Sequence, residues 1–108
     1  MNLQKHKPYR NRKMLDAARD MPCIRCGKEG ETRACHYTGL WQHQYGKGRG
    51  QKCSDLMTAE FCRMCDGFLS EGTTPFGNDV MGKAMKSDEF HHWIAMTNIR
   101  RIENGWLG

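Results

Sequence analysis

The chain has 108 residues, a hydrophobic fraction of 38% and a mean hydropathy of −0.80. That suffices for one domain with one small core, near the size where a core alone is marginal without a covalent or metal staple. No apolar run approaches the roughly 20 residues of a membrane-spanning helix, so none is expected. The formal charge is +5, and it is unevenly spread. Lys5, Lys7, Arg10, Arg12 and Lys13 all precede the first acid, Asp16, and Lys47, Arg49 and Lys52 form a second cluster. This pattern suits a polyanion, with nucleic acid the first candidate.

In chain order, residues 1–13 read as a flexible basic arm, polar and interrupted by Pro8, and residues 14–108 as a single domain. The stretch Arg10 to Arg19 suits a short helix with Met14, Leu15, Ala17 and Ala18 on its apolar side, ended by Pro22. Glu31 to Tyr37 reads as a strand of mixed polarity. Leu40 to Asp55 has no hydrophobic period and contains Gly46, Gly48 and Gly50, which predicts a long, functional loop. Leu56 to Phe61 alternates as a second strand. A helix is expected to start within Cys62 to Asp66 and run to about Ser70, followed by a break at Gly72 to Asn78. Asp79 to Lys86 suits a short helical turn. Ser87 is then the expected N-cap of a final helix carrying Phe90, Trp93, Ile94 and Thr97, stopped by Asn104-Gly105.

The cysteines organise this order. Cys23 and Cys26, in Pro22-Cys23-Ile24-Arg25-Cys26-Gly27, form one C-x-x-C pair, and Cys62 and Cys65 form another. Each such turn aims two sulfurs at one point, and two turns complete a tetrahedron, so the four thiolates are the expected ligands of a structural Zn²⁺. Four thiolates and one Zn²⁺ together contribute −2, which takes the formal charge to about +3. A secreted disulfide framework would want a signal peptide, and Met1 to Lys13 has no apolar core segment. A thioredoxin-like redox pair would follow a long apolar strand, which neither pair does. Cys35 and Cys53 are left over as small thiols.

Between the two knuckles lie the residues suited to chemistry. A strand bearing His36, a glycine-rich basic loop, Asp55 and then Asp66 at a helix start can set an imidazole and an acid across a small cleft. A neutral histidine there takes a proton from an attacking water, and one Mg²⁺-like ion polarises a phosphodiester. Gly46-Lys47-Gly48-Arg49-Gly50 lets backbone amides and cations approach phosphates. His43, His91 and His92 are further imidazoles, ranked below His36.

Three segments carry a resemblance: Ala34-Cys35-His36, then Gly48-Arg49-Gly50-Gln51-Lys52-Cys53-Ser54-Asp55, then Cys62-Arg63-Met64-Cys65-Asp66. In that order they resemble the phage and prophage HNH (ββα-metal, His-Me finger) nucleases, and among them the small proteins related to the recombination enhancement function nuclease. That group has a small residue before His, a G-x-G-x-K-x-x-D stretch, and C-x-x-C-H at a helix start. The likeness covers roughly Pro22 to Leu69 and, more loosely, the C-terminal helix, with the basic arm outside it. It implies an α+β fold, a small zinc-stapled ββα-metal domain with flanking helices. It also implies endonuclease activity on DNA, in the cytoplasm of a bacterial host. His36 matches the general base, and Asp55 the position that orients the base or supports the site. Asp66 stands where the group has a metal-ligand histidine, which favours a hard ion such as Mg²⁺ or Mn²⁺, held with His36. Lys47, Arg49, Lys52, Arg10, Arg12 and Lys13 are the expected DNA contacts. The departure at Asp66 leaves a second expectation: a catalytically inactive module of the same fold that binds nucleic acid, a recombination protein or a host protein. Dimerisation is left open.

Overall fold

The computed structural model describes residues 9–48, 51–70 and 79–106. It has an α+β architecture: α1 (Arg12–Asp16) with a 3₁₀ turn (Ala17–Asp20), β1 (Arg33–His36), a 3₁₀ turn (Gln42–Tyr45), β2 (Thr58–Phe61), α2 (Arg63–Ser70) and α3 (Val80–Glu103). The strands pair antiparallel, with Arg33 opposite Phe61 and His36 opposite Thr58. The pairing extends one step further, where the Tyr37 N–H donates to the Met57 carbonyl. Among the described residues no helix is long and apolar enough to cross a membrane.

From Tyr9 onward the described part of the first segment is anchored to the domain: the Tyr9 carbonyl accepts the Asp55 N–H. Asn11 caps α1 by accepting from the Met14 N–H, and Met14 and Ala18, one helical turn apart, are fully buried. The boundary expected at residue 13 therefore falls inside a helix; residues 1–8 lie outside the described residues. Both strands are shorter than the sequence pattern suggests, and every residue of β2 is buried. One side of β2, with Ala59 and Phe61, joins Phe90, Ile94 and Leu69 in the core. Cys23, Cys62 and Cys65 belong to the same core. The metal-type cluster and the hydrophobic centre are thus one body.

The last helix corrects an expectation. A short turn followed by a new helix at Ser87 is absent; α3 is continuous over 24 residues. Asp79 is its N-cap, accepting from the Gly82 N–H at 2.7 Å. Nothing between Val80 and Glu103 then breaks the pattern, because the single glycine, Gly82, is tolerated at modest cost. Ser87 is buried inside the helix, and its hydroxyl meets that of Tyr37. The expected stop holds: Asn104 is the C-cap, and Gly105 follows at φ +81°, the left-handed geometry common just past a helix end.

Along β2, α3 is held by polar groups as well as by Phe90. The Glu60 N–H donates to Thr97 Oγ1, the Arg100 guanidinium reaches Glu60 at 2.6 Å, and Arg101 donates to Thr58 Oγ1 at 2.7 Å. Glu60, Thr58 and Arg101 are all buried, so each depends on these partners.

Candidate functional site

The first knuckle closes as a tight turn. The Gly27 N–H donates back to the Cys23 carbonyl at 2.9 Å, and the Cys23 N–H donates to the Lys28 carbonyl at 2.8 Å. Gly27 takes φ +83° there, which a side chain would disfavour. The Ile24 N–H donates to the Glu60 carbonyl, anchoring this turn to β2. The second knuckle leads straight from β2 into α2, where the Asp66 N–H donates to the Cys62 carbonyl.

Cys23, Cys26, Cys62 and Cys65 meet, with all four Sγ atoms within 4.8 Å of one another. A tetrahedron with metal–sulfur bonds of about 2.3 Å has sulfur–sulfur edges near 3.8 Å, and Cys26 and Cys62 are 3.6 Å apart. Three of the four residues are buried and Cys26 is exposed. The donor set is all sulfur, so the tetrad can hold a metal ion, and its softness and geometry fit structural zinc. Without a cation the sulfurs compete for charge. Burial raises the Cys65 thiol to about 12. At Cys23 burial acts the same way, but the backbone N–H groups of Cys62, Cys26 and Arg25 outweigh it and bring the thiol down to about 7. Arg25, which sequence reasoning passed over, donates to Cys65 Sγ at 3.5 Å and to Glu89 at 2.6 Å, and Trp93 donates to the same carboxylate. This chain ties the tetrad to α3. No local pattern could reveal a contact spanning 64 positions.

His36 closes β1, and its Nε2 lies 2.8 Å from Oδ1 of Asp55. An ionised carboxylate only accepts, so Nε2 carries the proton and Nδ1 holds the lone pair of the neutral ring. Asp55 is almost wholly buried and fully engaged. It accepts from the Asn11 N–H at 2.7 Å and from the Arg10 guanidinium at 3.2 Å, while its own N–H donates to the Tyr9 carbonyl. Burial pulls the His36 pKa below its ordinary value. Asp55 pulls the other way, and Lys52 and Arg10 add to the lowering. Burial disfavours the Asp55 carboxylate, yet the Asn11 amide and His36 outweigh it and its pKa falls. The pair is therefore a neutral imidazole beside an anion at neutral pH.

Asp66 occupies other ground. Its carboxylate lies 3.9 Å from Arg33 and beside Cys35, whose thiol is pushed well up, first by burial and then by the charge of Asp66. The carboxylate that engages His36 is thus Asp55, and Asp66 faces the alternate residues of the same strand. Both His36 and Asp66 border one cleft of about 380 Å³, lined also by Arg33, Lys47, Lys52 and Thr38. Among the described residues the cysteine tetrad is the one cluster of three or more His, Cys, Asp or Glu groups at metal-ligand spacing. His36 and Asp66 alone do not make a second.

The expected DNA contacts separate. Lys47 and Lys52 line the cleft. Arg12 and Lys52 line a neighbouring one that also reaches His36 and Asp55. Arg10 lines that second cleft too, but its guanidinium already donates to the carbonyls of Lys52 and Cys53 as well as to Asp55. Lys13 is exposed on α1, and Arg49 lies outside the described residues. Two other imidazoles make hydrogen bonds within the chain: His91 bridges Tyr45 and the Ser87 carbonyl, and His43 holds the Lys47 carbonyl. Cys53 is a buried thiol donating to the Tyr37 carbonyl.

Comparison of the chain with protein-family models, with curated proteins and with solved structures finds no match.

Proposed function

We propose that this chain is a metal-dependent endonuclease of the HNH, ββα-metal type, hydrolysing DNA phosphodiester bonds with His36 as general base. The observation that carries the reading is the His36–Asp55 pair at the border of a basic cleft. Asp55 holds Nε2–H, which leaves Nδ1 as the basic atom. The depressed pKa keeps the ring neutral at pH 7, ready to accept a proton from water attacking phosphorus. Lys47 and Lys52 hold the phosphates on the cleft wall. Arg10 and Asn11 act through Asp55 and set its position. A Mg²⁺ or Mn²⁺ ion, which keeps water and phosphate oxygens as ligands, would be held by Asp66; His36, expected from the sequence as a second ligand, is left out because its one free lone pair, on Nδ1, is the base. When bound it supplies Lewis acidity at the scissile phosphate. The zinc tetrad is scaffold: it joins the first knuckle to the start of α2 and so fixes β1 against it.

The test is plasmid nicking across Mg²⁺, Mn²⁺ and Ni²⁺ with an EDTA control. His36→Ala is expected to lose nicking while keeping one zinc per chain. Undiminished cutting by that variant removes His36 as the base.

A second reading is a binding module of the same fold without catalysis. The engagement of Asp66 with Arg33 and Cys35 favours it. A mobility shift with no nicks in any metal selects this reading. Stoichiometric capture of a recombination or host protein without DNA affinity selects a protein-directed form of it.

A further inference from the structure

From the turn that follows β1 we infer a second element of the binding site, a stacking platform at Trp41 for an unpaired nucleobase. The inference rests on the cleft being a nucleic-acid site, and it specifies the substrate: single-stranded or locally unpaired nucleic acid in preference to intact duplex.

Leu40 and Trp41 are adjacent and exposed, at 56% and 53%. Single exposed apolar residues are ordinary on protein surfaces. Here the rigidity of the support and the location distinguish them. The Trp41 N–H donates to the hydroxyl of Tyr37, a fully buried ring that meets Ser87 of α3 through the same oxygen. The Trp41 carbonyl accepts from the Gln44 N–H. Gly39, at φ +153°, lets the chain turn hard against Tyr37, since a Cβ there would lie 2.8 Å from its hydroxyl oxygen. The indole is thus carried outward on a backbone fastened to the core.

The cleft brackets this turn on both sides. Thr38, before it, lines the cleft and donates to the Ser70 carbonyl. Lys47, after it, also lines the cleft, and its N–H donates to the carbonyl of Gln42, the residue next to Trp41. An exposed aromatic face fastened beside phosphate-binding cations is the arrangement that grips single strands, the cations tracking the backbone and the ring taking a base. In an intact duplex both faces of each base are covered, so the platform has nothing to accept.

The test uses the full-length zinc-loaded chain without added divalent ion, so that binding is measured apart from cleavage. Affinities are compared for a single-stranded thymidine oligonucleotide, an abasic strand of equal length and a blunt duplex. Trp41→Ala is expected to weaken the thymidine strand about 5- to 150-fold and to leave the abasic strand unchanged. Trp41→Phe is expected to retain most of the affinity, because a phenyl ring still stacks. Unchanged zinc content and circular dichroism confirm the fold of each variant. Equal binding of the thymidine strand by wild type and Trp41→Ala overturns the inference, as does wild-type preference for duplex or no affinity for any strand. Absence of nicking in every metal ends the nuclease reading alone and leaves the stacking measurement standing.

Discussion

Asp55 Oδ1 lies 2.8 Å from His36 Nε2, while the other carboxylate oxygen accepts the backbone N–H of Asn11. One buried carboxylate therefore orients the imidazole and pins the start of α1. Both pKa values are lowered in the folded chain. Cleavage is expected to rise with pH to a plateau, with a midpoint below the ordinary histidine value of 6.5, the free base being the active form. A pH–rate profile with its midpoint above that value would contradict the assignment. Stability follows the same sign. Both groups bind fewer protons folded than unfolded, so unfolding free energy falls as pH drops. The His36 contribution goes first, below the unfolded histidine pKa. The Asp55 contribution is present above the unfolded carboxylate pKa and is lost through the folded one. Urea unfolding across this range checks both, with Asp55→Asn removing the lower step.

Arg10 and Lys47 separate two roles for basic residues. Lys47 borders the cleft, so Lys47→Ala is expected to reduce the slope of log affinity against log salt by about 1. Arg10 is committed to Asp55 and two carbonyls, so Arg10→Ala is expected to cost about 1 kcal/mol of stability, discounted for its partial exposure. A double-mutant cycle with Asp55→Asn should show coupling between them. A salt slope lowered by Arg10→Ala as much as by Lys47→Ala would assign Arg10 to the substrate instead.

The tetrad is part of the chain's central packing, with Cys23, Cys62 and Cys65 all in the core. Metal removal is therefore expected to unfold the domain rather than loosen one turn, since binding energy at such sites, about 10–16 kcal/mol, is folding energy. Cys62→Ser should abolish zinc retention and the far-ultraviolet helix signal together. Cys26→Ser, at the exposed corner, should retain weaker binding. Elemental analysis that found no zinc in natively folded chain would refute the centre.

Glu60 offers a test of the scaffold alone. Its carboxylate is buried against Arg100 and within 4.0 Å of Arg101, and Arg101 Nε has no other partner among the described residues. Glu60→Ala takes the nearby counter-charge from that buried guanidinium, which keeps its bonds to Thr58 and Asn98, and is expected to cost about 3–5 kcal/mol. Thermal melts of the zinc-loaded variant measure it. A loss no larger than that of an exposed acid such as Glu103 would show that water reaches Arg101.

Much of this molecule was legible without coordinates. Paired C-x-x-C spacing determined the tetrad, because each pair converges through a local turn and only the meeting of two turns is long-range. The α2 start, the β2 pattern and the Asn104-Gly105 stop are likewise local. A motif position pointed to Asp55 as the partner of His36, and the tertiary structure brought the two to 2.8 Å across 19 positions while leaving Asp66 beside Cys35. The tertiary structure alone decided that Arg10 is a clamp and that Ser87 lies mid-helix. A cation looks the same in sequence whether its partner is solvent, phosphate or a buried acid. Ser87 has strong capping chemistry, but Tyr37, fifty positions away, takes its hydroxyl. Periodicity and spacing record the forces acting within a few residues, and the choice among partners is made by packing.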